Sequence, residues 1–261
     1  MRNLDLTGLN LEDLVMVGVD LRDSILTSCN LNGVNLSGSM LEHCSFIDCD
    51  LIEATLQEAS LVKCSLDRAN FQNANLIEAN LREAEMKQTN FNGANLDRAL
   101  LLKVRAELAD FSSTSLYKSR FDESIVVLCD FSACDSGELE AANADFSGSV
   151  FQGVKMDRSN FKGSNMSFCD LTGAFMRGCS MEGVNFFSST LKETQLTKSN
   201  LLDTHFMKVY GEAARINGAN LKNANMIDAD FTGGNFDASY MVDVVEKETV
   251  FNEASFKNTR R

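Results

Sequence analysis

Eight cysteines, two histidines and an excess of carboxylates are the residues of this chain that could do chemistry. Cys44 and Cys49 are five apart, as are Cys129 and Cys134, and an even cysteine count at repeated spacing suits a zinc site or a disulfide framework. His43 and His205 could act as metal ligands or general bases, but they have no acid–nucleophile arrangement at a recognisable spacing. Neither common glycine-rich phosphate loop is present. No catalytic residue, metal ligand or cofactor site is assigned, and no enzyme is expected. The 37 Asp and Glu outnumber the 24 Lys and Arg, for a formal charge of −13. That balance disfavours direct binding of nucleic acid or acidic membranes, which are held through a Lys/Arg surplus. The partner expected is a neutral or basic protein. No run of 18 apolar residues is present, and the start MRNLDLTGLNLEDL carries acids where a signal peptide needs an apolar stretch. The chain reads as soluble and cytoplasmic, with secretion as an effector left open.

The elements that position these residues repeat with a period of five. From Leu6 to Phe256, every fifth residue gives 51 positions, of which 44 are Leu, Phe or Met. Fifteen of the 18 phenylalanines lie in this register; Phe168, Phe175 and Phe187 do not. Two places upstream, 47 of 51 positions hold Ala, Cys, Ser, Thr, Val or Gly, the exceptions being Leu4, Leu9, Leu14 and Leu139. Asn or Asp is the commonest residue between, as in Ala69-Asn70-Phe71-Gln72-Asn73 and Ala74-Asn75-Leu76-Ile77-Glu78. A helix repeats its face at 3.6 residues and a strand at 2.0, so neither explains a period of five. A large residue turning inward every fifth step requires a chain that turns a corner once per unit. Gly33, Gly93, Gly148 and Gly153 fall in the last place of the unit, where a positive φ is expected.

These units resemble the pentapeptide-repeat family, whose motif is small-Asn/Asp-Leu/Phe-any-any, over essentially the whole chain. The resemblance implies an all-β fold, a right-handed quadrilateral β-helix with four units per coil, as a single domain over 1–261. At ~4.8 Å between coils, the chain makes about 13 coils and a rod of roughly 60 Å. All eight cysteines (Cys29, Cys44, Cys49, Cys64, Cys129, Cys134, Cys169, Cys179) then occupy the small inward place. There a free thiol behaves as a small core residue. Pairs 20 apart, such as Cys29/Cys49 and Cys44/Cys64, would stack with parallel Cβ vectors, so reduced thiols are expected.

The repeat lapses where Ala106, Ser136, Ala141, Gly211 and Glu246 take the large inward place. The stretch DSGELEAAN is the worst, and a short loop or bulge leaving the coil at 135–143 is expected. Quinolone-resistance members of the family carry projecting loops that bind topoisomerase, a likeness of position type only. The lapse at 209–215 has some helical propensity but is too short for an independent helix. Leu4, Leu9 and Leu14 are read as plugging the N-terminal end. No amphipathic C-terminal helix like that of topoisomerase-protecting relatives follows the last unit, leaving a terminal coil whose edge favours association or fraying.

Assigning outward residues by position modulo 20 separates the four faces. The face of Leu11, Leu31 and Leu51 collects Glu12, Asp13, Asp50, Glu53, Asp110, Asp130, Asp170, Glu193, Glu212, Asp230 and Glu253 against one base, Lys192. It reads as a landing surface for a basic partner. Duplex DNA of the same ~60 Å would present about 35 phosphates at one per ~1.7 Å, so this face is a sparse imitation. The face of Leu6 gathers Leu108, Val127, Leu128, Phe168, Phe187, Met207 and Ile227 into an apolar stripe, the kind of contiguous patch that marks an interface. The function expected is a nonenzymatic binding or scaffold module, with self-association through the stripe or the C-terminal coil. Two alternatives implied by the resemblance are a DNA mimic that binds a type II topoisomerase such as gyrase, and a secreted bacterial effector using the rod for targeting.

Overall fold

The computed structural model describes residues 2–261. Every fifth residue from Asp5 to Tyr240 bridges in parallel to the residue 20 places on, beginning with Asp5↔Ile25 and ending with Tyr240↔Arg260. Four bridges per turn of chain make a square coil. Among the described residues only β1 (Arg105–Glu107) and β2 (Ile125–Val127) are longer than a single bridge, and they pair in parallel.

One unit shows how the square is closed. The amide of inward Leu76 donates to the carbonyl of Asn95 in the next coil at 2.7 Å, and the Asn95 amide donates back to Ala74 at 2.9 Å. The Ala79 amide donates to the Leu76 carbonyl at 3.0 Å, closing a four-residue turn whose third residue, Glu78, has φ of 58°. A positive φ at that place marks a type II turn. The conformation recurs at every fifth residue from Asn3 to Asn258, in 13 glycines and 39 other residues. The motif therefore satisfies the backbone groups by pairing up and down the rod, as burial of their polar atoms demands.

Large inward side chains stack coil upon coil. Phe71, Phe91, Phe111, Phe131 and Phe151 form a ladder with ring centroids 4.8–5.1 Å apart, each contact worth roughly 0.5–1.5 kcal/mol beyond area burial. The small inward residues do more than leave room. Each cysteine thiol donates to a backbone carbonyl 23 residues earlier, as in Cys49 Sγ to Leu26 at 2.8 Å and Cys134 Sγ to Phe111 at 2.7 Å. Serine and threonine do the same, for example Ser124 Oγ to Leu101 at 2.6 Å. Carbonyl oxygens have two lone pairs, so one can serve both the turn amide and this side chain.

The expected loop at 135–143 is corrected. Asp135 bridges Ser115 and Lys155, Glu140 bridges Arg120 and Asn160, and Ser136, Leu139 and Ala141 are all buried. Leu139 stands in the small-residue place and supplies apolar volume that Ser136 and Ala141 on either side do not, so the coil stays closed. At the second lapse the chain forms no helix. A Cβ on Gly211 would lie 2.5 Å from the Phe231 ring, so that ring takes the space of the missing side chain.

The ends differ. Leu9 and Leu14 do not plug the N-terminal end: they are 46 % and 45 % exposed and are not among the partly buried residues, such as Leu4, Leu6 and Leu11, that pack against the core. An apolar concavity of about 430 Å³ remains there, with Leu4, Leu6 and Leu11 in its lining. At the other end Arg261 lies over the Phe256 and Phe251 rings, 4.6 and 6.0 Å from their centroids. It is held there by Glu246, which accepts from its guanidinium at 2.7 and 2.9 Å. The charged residue in the large inward place thus anchors a cover over the last rings.

Candidate protein-binding face

The straight register keeps residues 20 apart in one column, so the modulo-20 faces are physical faces. On the side backed by the phenylalanine ladder, one column runs Asn90, Asp110, Asp130, Val150, Asp170. Its carboxylates have a structural task. Asp110 Oδ1 accepts from the Ser112 amide at 2.8 Å and hydroxyl at 2.5 Å; Asp130 accepts likewise from Ser132, and Asp230 from Thr232. These are the side-chain turns that Asp and Asn make with the backbone two residues on. Asn30, Asn70 and Asn90 make the same amide contact, so asparagine would suffice for the turn. Asp170 also accepts from Gln152 at 2.6 Å; partial burial pushes its carboxyl up, but these bonds outweigh burial and hold it below the ordinary value.

What sets this face apart is the scarcity of cations. Of the ion pairs among the described residues, it holds one, Lys192 to Glu212 at 3.1 Å. The Tyr210 hydroxyl first, and then Lys192, lower the Glu212 carboxyl below its usual range. Glu12 accepts only from Asn30, at 3.1 Å. Each of the other faces carries several pairs, many between residues 20 apart, including Lys63–Glu83, Lys87–Glu107 and Arg98–Glu78. Asp13, Asp50, Glu53, Glu193 and Glu253 have no cation partner among the described residues.

The apolar stripe divides in two. Phe187, Met207 and Ile227 form one column and Val127, at the end of β2, lies farther down it; all four are half-buried. Phe187 is covered on one side by Phe168, edge-on at 5.6 Å, and Lys208 Nζ lies 5.8 Å from its ring centroid. Leu108, Leu128 and Phe168 form the next column and are 48 %, 54 % and 61 % exposed. Sequence pattern alone did not separate the shielded column from the exposed one, because both lie in outward places. The distinguishing signal was available: the exposed three occupy the last place of the unit, at the corner.

The cysteines remain free and buried. Burial pushes Cys44 up to about 11 and Cys49, Cys129, Cys134, Cys169 and Cys179 up to about 12, so they stay protonated donors at neutral pH. No group of three or more His, Cys, Asp or Glu among the described residues is placed to hold a metal. No helix there is long and apolar enough to cross a membrane.

The model described as "Pentapeptide repeat region" matches residues 19–87 and 39–111, and that described as "Pentapeptide repeats (8 copies)" matches 127–163, 164–201 and 212–241. Together they span well over half the chain. The chain belongs to the pentapeptide-repeat family. Its right-handed quadrilateral β-helix is the family's fold. Among solved structures it is similar to HetL, a pentapeptide repeat protein involved in heterocyst differentiation regulation in the cyanobacterium Nostoc. The identity is 21 % over 96 % of this chain and 92 % of that one, with a TM-score of 0.28. Full-length QnrB1, a plasmid-mediated fluoroquinolone resistance protein, is 19 % identical over 75 % of this chain and 92 % of its own, with a TM-score of 0.48. A pentapeptide repeat protein of the Arabidopsis thaliana thylakoid lumen is 35 % identical over 38 % of this chain and 65 % of its own, with a TM-score of 0.27. No curated protein matches the chain by sequence.

Proposed function

We propose that this rod is a nonenzymatic binding module that receives a basic protein partner on its acidic face. The observation that carries the reading is the uneven neutralisation of charge: among the described residues about half of the acids on the other faces pair with a cation, most of them across coils, whereas this face has one lysine for eleven acids and one ion pair. Unpaired carboxylates on a rigid, phenylalanine-backed surface attract a cationic partner and speed its encounter. Adjacent carboxylates in the central column occur only at Asp110 and Asp130, a density far below one charge per ~1.7 Å of duplex. The spacing favours a basic protein surface over imitation of DNA.

The test is the association rate of a lysine-rich peptide with the wild-type rod and with Asp110→Asn/Asp130→Asn, over a range of salt. The variant keeps the acceptor for Ser112 and Ser132 and is expected to associate more slowly, with a shallower salt dependence. An unchanged rate and salt profile would remove this face from the mechanism.

A further inference from the structure

Large apolar side chains at a left-handed corner are doubly unfavourable. A positive φ is disfavoured for an L-residue other than Gly, Asn or Asp, and exposure of an apolar side chain gains nothing back. Among the 39 described non-glycine residues with positive φ, only Leu108 (59°), Leu128 (57°) and Phe168 (59°) carry a large apolar side chain. All three fall in one column within four successive coils. The missing step is Gly148, whose absent Cβ leaves the space over which Leu128 leans, 2.7 Å from the position a Cβ would take. The corner conformation recurs along the whole rod, but large exposed apolar side chains at it are grouped in this one column, and a contiguous exposed apolar patch marks an interaction surface.

The column borders the acids. Leu108 is followed two residues later by Asp110, Leu128 by Asp130 and Phe168 by Asp170. Asp110 and Asp130 each engage Oδ1 with the following serine, leaving Oδ2 without a partner among the described residues. An exposed apolar ridge thus runs beside a row of oriented carboxylates.

From this juxtaposition we propose that the corner is a docking site for a cationic amphipathic α-helix of a partner protein, lying along the rod axis. This rests on the acidic face being the side that meets the partner. The occupant cannot add as a strand, because backbone groups along the sides of the rod are already paired between coils; recognition must pass through side chains, as when a helix lays its apolar face on a hydrophobic surface. Spacing favours the helix as well. Coils repeat every ~4.8 Å and helical turns every ~5.4 Å, so the two drift by under about 2 Å across the three steps from Leu108 to Phe168. Apolar residues at i, i+4, i+7 and i+11 meet the ridge, and Lys or Arg on one flank reaches Asp110, Asp130 and Asp170. A second copy of this chain offers no such helix among its described residues.

The test uses three synthetic peptides: an amphipathic Leu/Lys helix former, a scramble of the same composition, and a lysine-rich peptide of equal charge without apolar residues. Each is titrated into the wild-type rod and into Leu108→Asn/Leu128→Asn/Phe168→Asn, with peptide helicity followed by circular dichroism. Asparagine tolerates positive φ, so the variant is expected to fold; Phe168→Gly alone repeats the test at a corner that suits glycine. The amphipathic peptide should become helical and bind the wild type more tightly than its scramble. It should lose about tenfold or more on the triple variant, as when buried apolar anchors are removed, while the lysine-rich peptide binds both proteins alike. Equal binding of the amphipathic peptide and its scramble would overturn the helix site and leave the acidic-face reading standing. If none of the peptides binds, both fail. A wild-type rod that sediments as a dimer, with the triple variant a monomer, would overturn the helix by assigning the ridge to self-association.

Discussion

The sides of the rod carrying Leu21, Leu41 and Leu61 and carrying Leu31, Leu51 and Phe71 face away from each other and treat charge differently. On the first, Arg22 meets Asp20 and Glu42, Lys63 meets Glu83, Lys103 meets Glu123 and Lys162 meets Glu182. On the second, among the described residues, only Lys192 meets an acid. The same backbone and register serve both sides, so folding imposes neither pattern. The teaching is that a solenoid separates its needs: inward places hold the stack together, while outward places are free to be neutralised or left charged. Exposed ion pairs contribute little each, commonly ~0.2–1 kcal/mol, and the paired side is best understood as quiet surface.

The largest expected effect comes from breaking what the two sides share. Leu76→Ala removes a fully buried side chain from the stack and should cost about 2–5 kcal/mol in denaturant unfolding. Half-buried Ile77→Ala, in the same unit, should cost under about 1 kcal/mol, since it opens no core cavity. Comparable losses would mean that inward and outward places are not distinct.

A smaller, pH-dependent effect belongs to the buried thiols. Five of them have folded values near 12 against an ordinary 9.0. Above pH 9 the unfolded chain releases thiol protons that the folded chain retains, so their contribution is full below pH 9 and lost as pH rises towards 12. Melting temperature should fall over that window. Replacing Cys129, Cys134, Cys169 and Cys179 with serine, which makes the same carbonyl contact elsewhere in the rod, should flatten the fall. An equally steep decline in the serine variant would assign the alkaline loss to other groups.

The smallest effects distinguish the charged sides. Asp110→Asn/Asp130→Asn should leave melting unchanged or raise it slightly, because it relieves like charges on paired neighbours while preserving the turn acceptor. Glu83→Gln on the opposite side should lower stability by less than about 1 kcal/mol through loss of the exposed Lys63 pair. A fall on the acidic side as large as that for Leu76→Ala would make those carboxylates structural.

The fold was legible because the period of five recurs in nearly every unit, and residues 20 apart could be placed on a common face from their numbers alone. The segment 135–143 was misread because the pattern scores each place separately. Ser136 and Ala141 count as two failures, although Leu139 between them restores the volume. The plug read from Leu9 and Leu14 failed for a related reason: a large residue in the small inward place is not thereby packed against the core. The cover formed by Arg261 and Glu246 joins residues 15 apart and follows no repeat, so periodicity could not show it. In the candidate site, the acidic columns and the apolar stripe were both visible by counting, whereas the difference in exposure between the ridge of Leu108, Leu128 and Phe168 and the half-buried column of Phe187, Met207 and Ile227 is a feature of the folded corner.

The most direct test of the central claim, that location and not net charge makes the acidic side a binding surface, compares two variants of equal charge. One carries Asp110→Asn, Asp130→Asn, Asp170→Asn and Asp230→Asn; the other carries Glu42→Gln, Glu83→Gln, Glu123→Gln and Glu182→Gln on the opposite side. Each is titrated with the same lysine-rich peptide at several salt concentrations. The first variant should lose most of the affinity and of the salt dependence, and the second should retain both. Equal losses in the two variants would contradict the account, reducing the attraction to the overall charge of the rod.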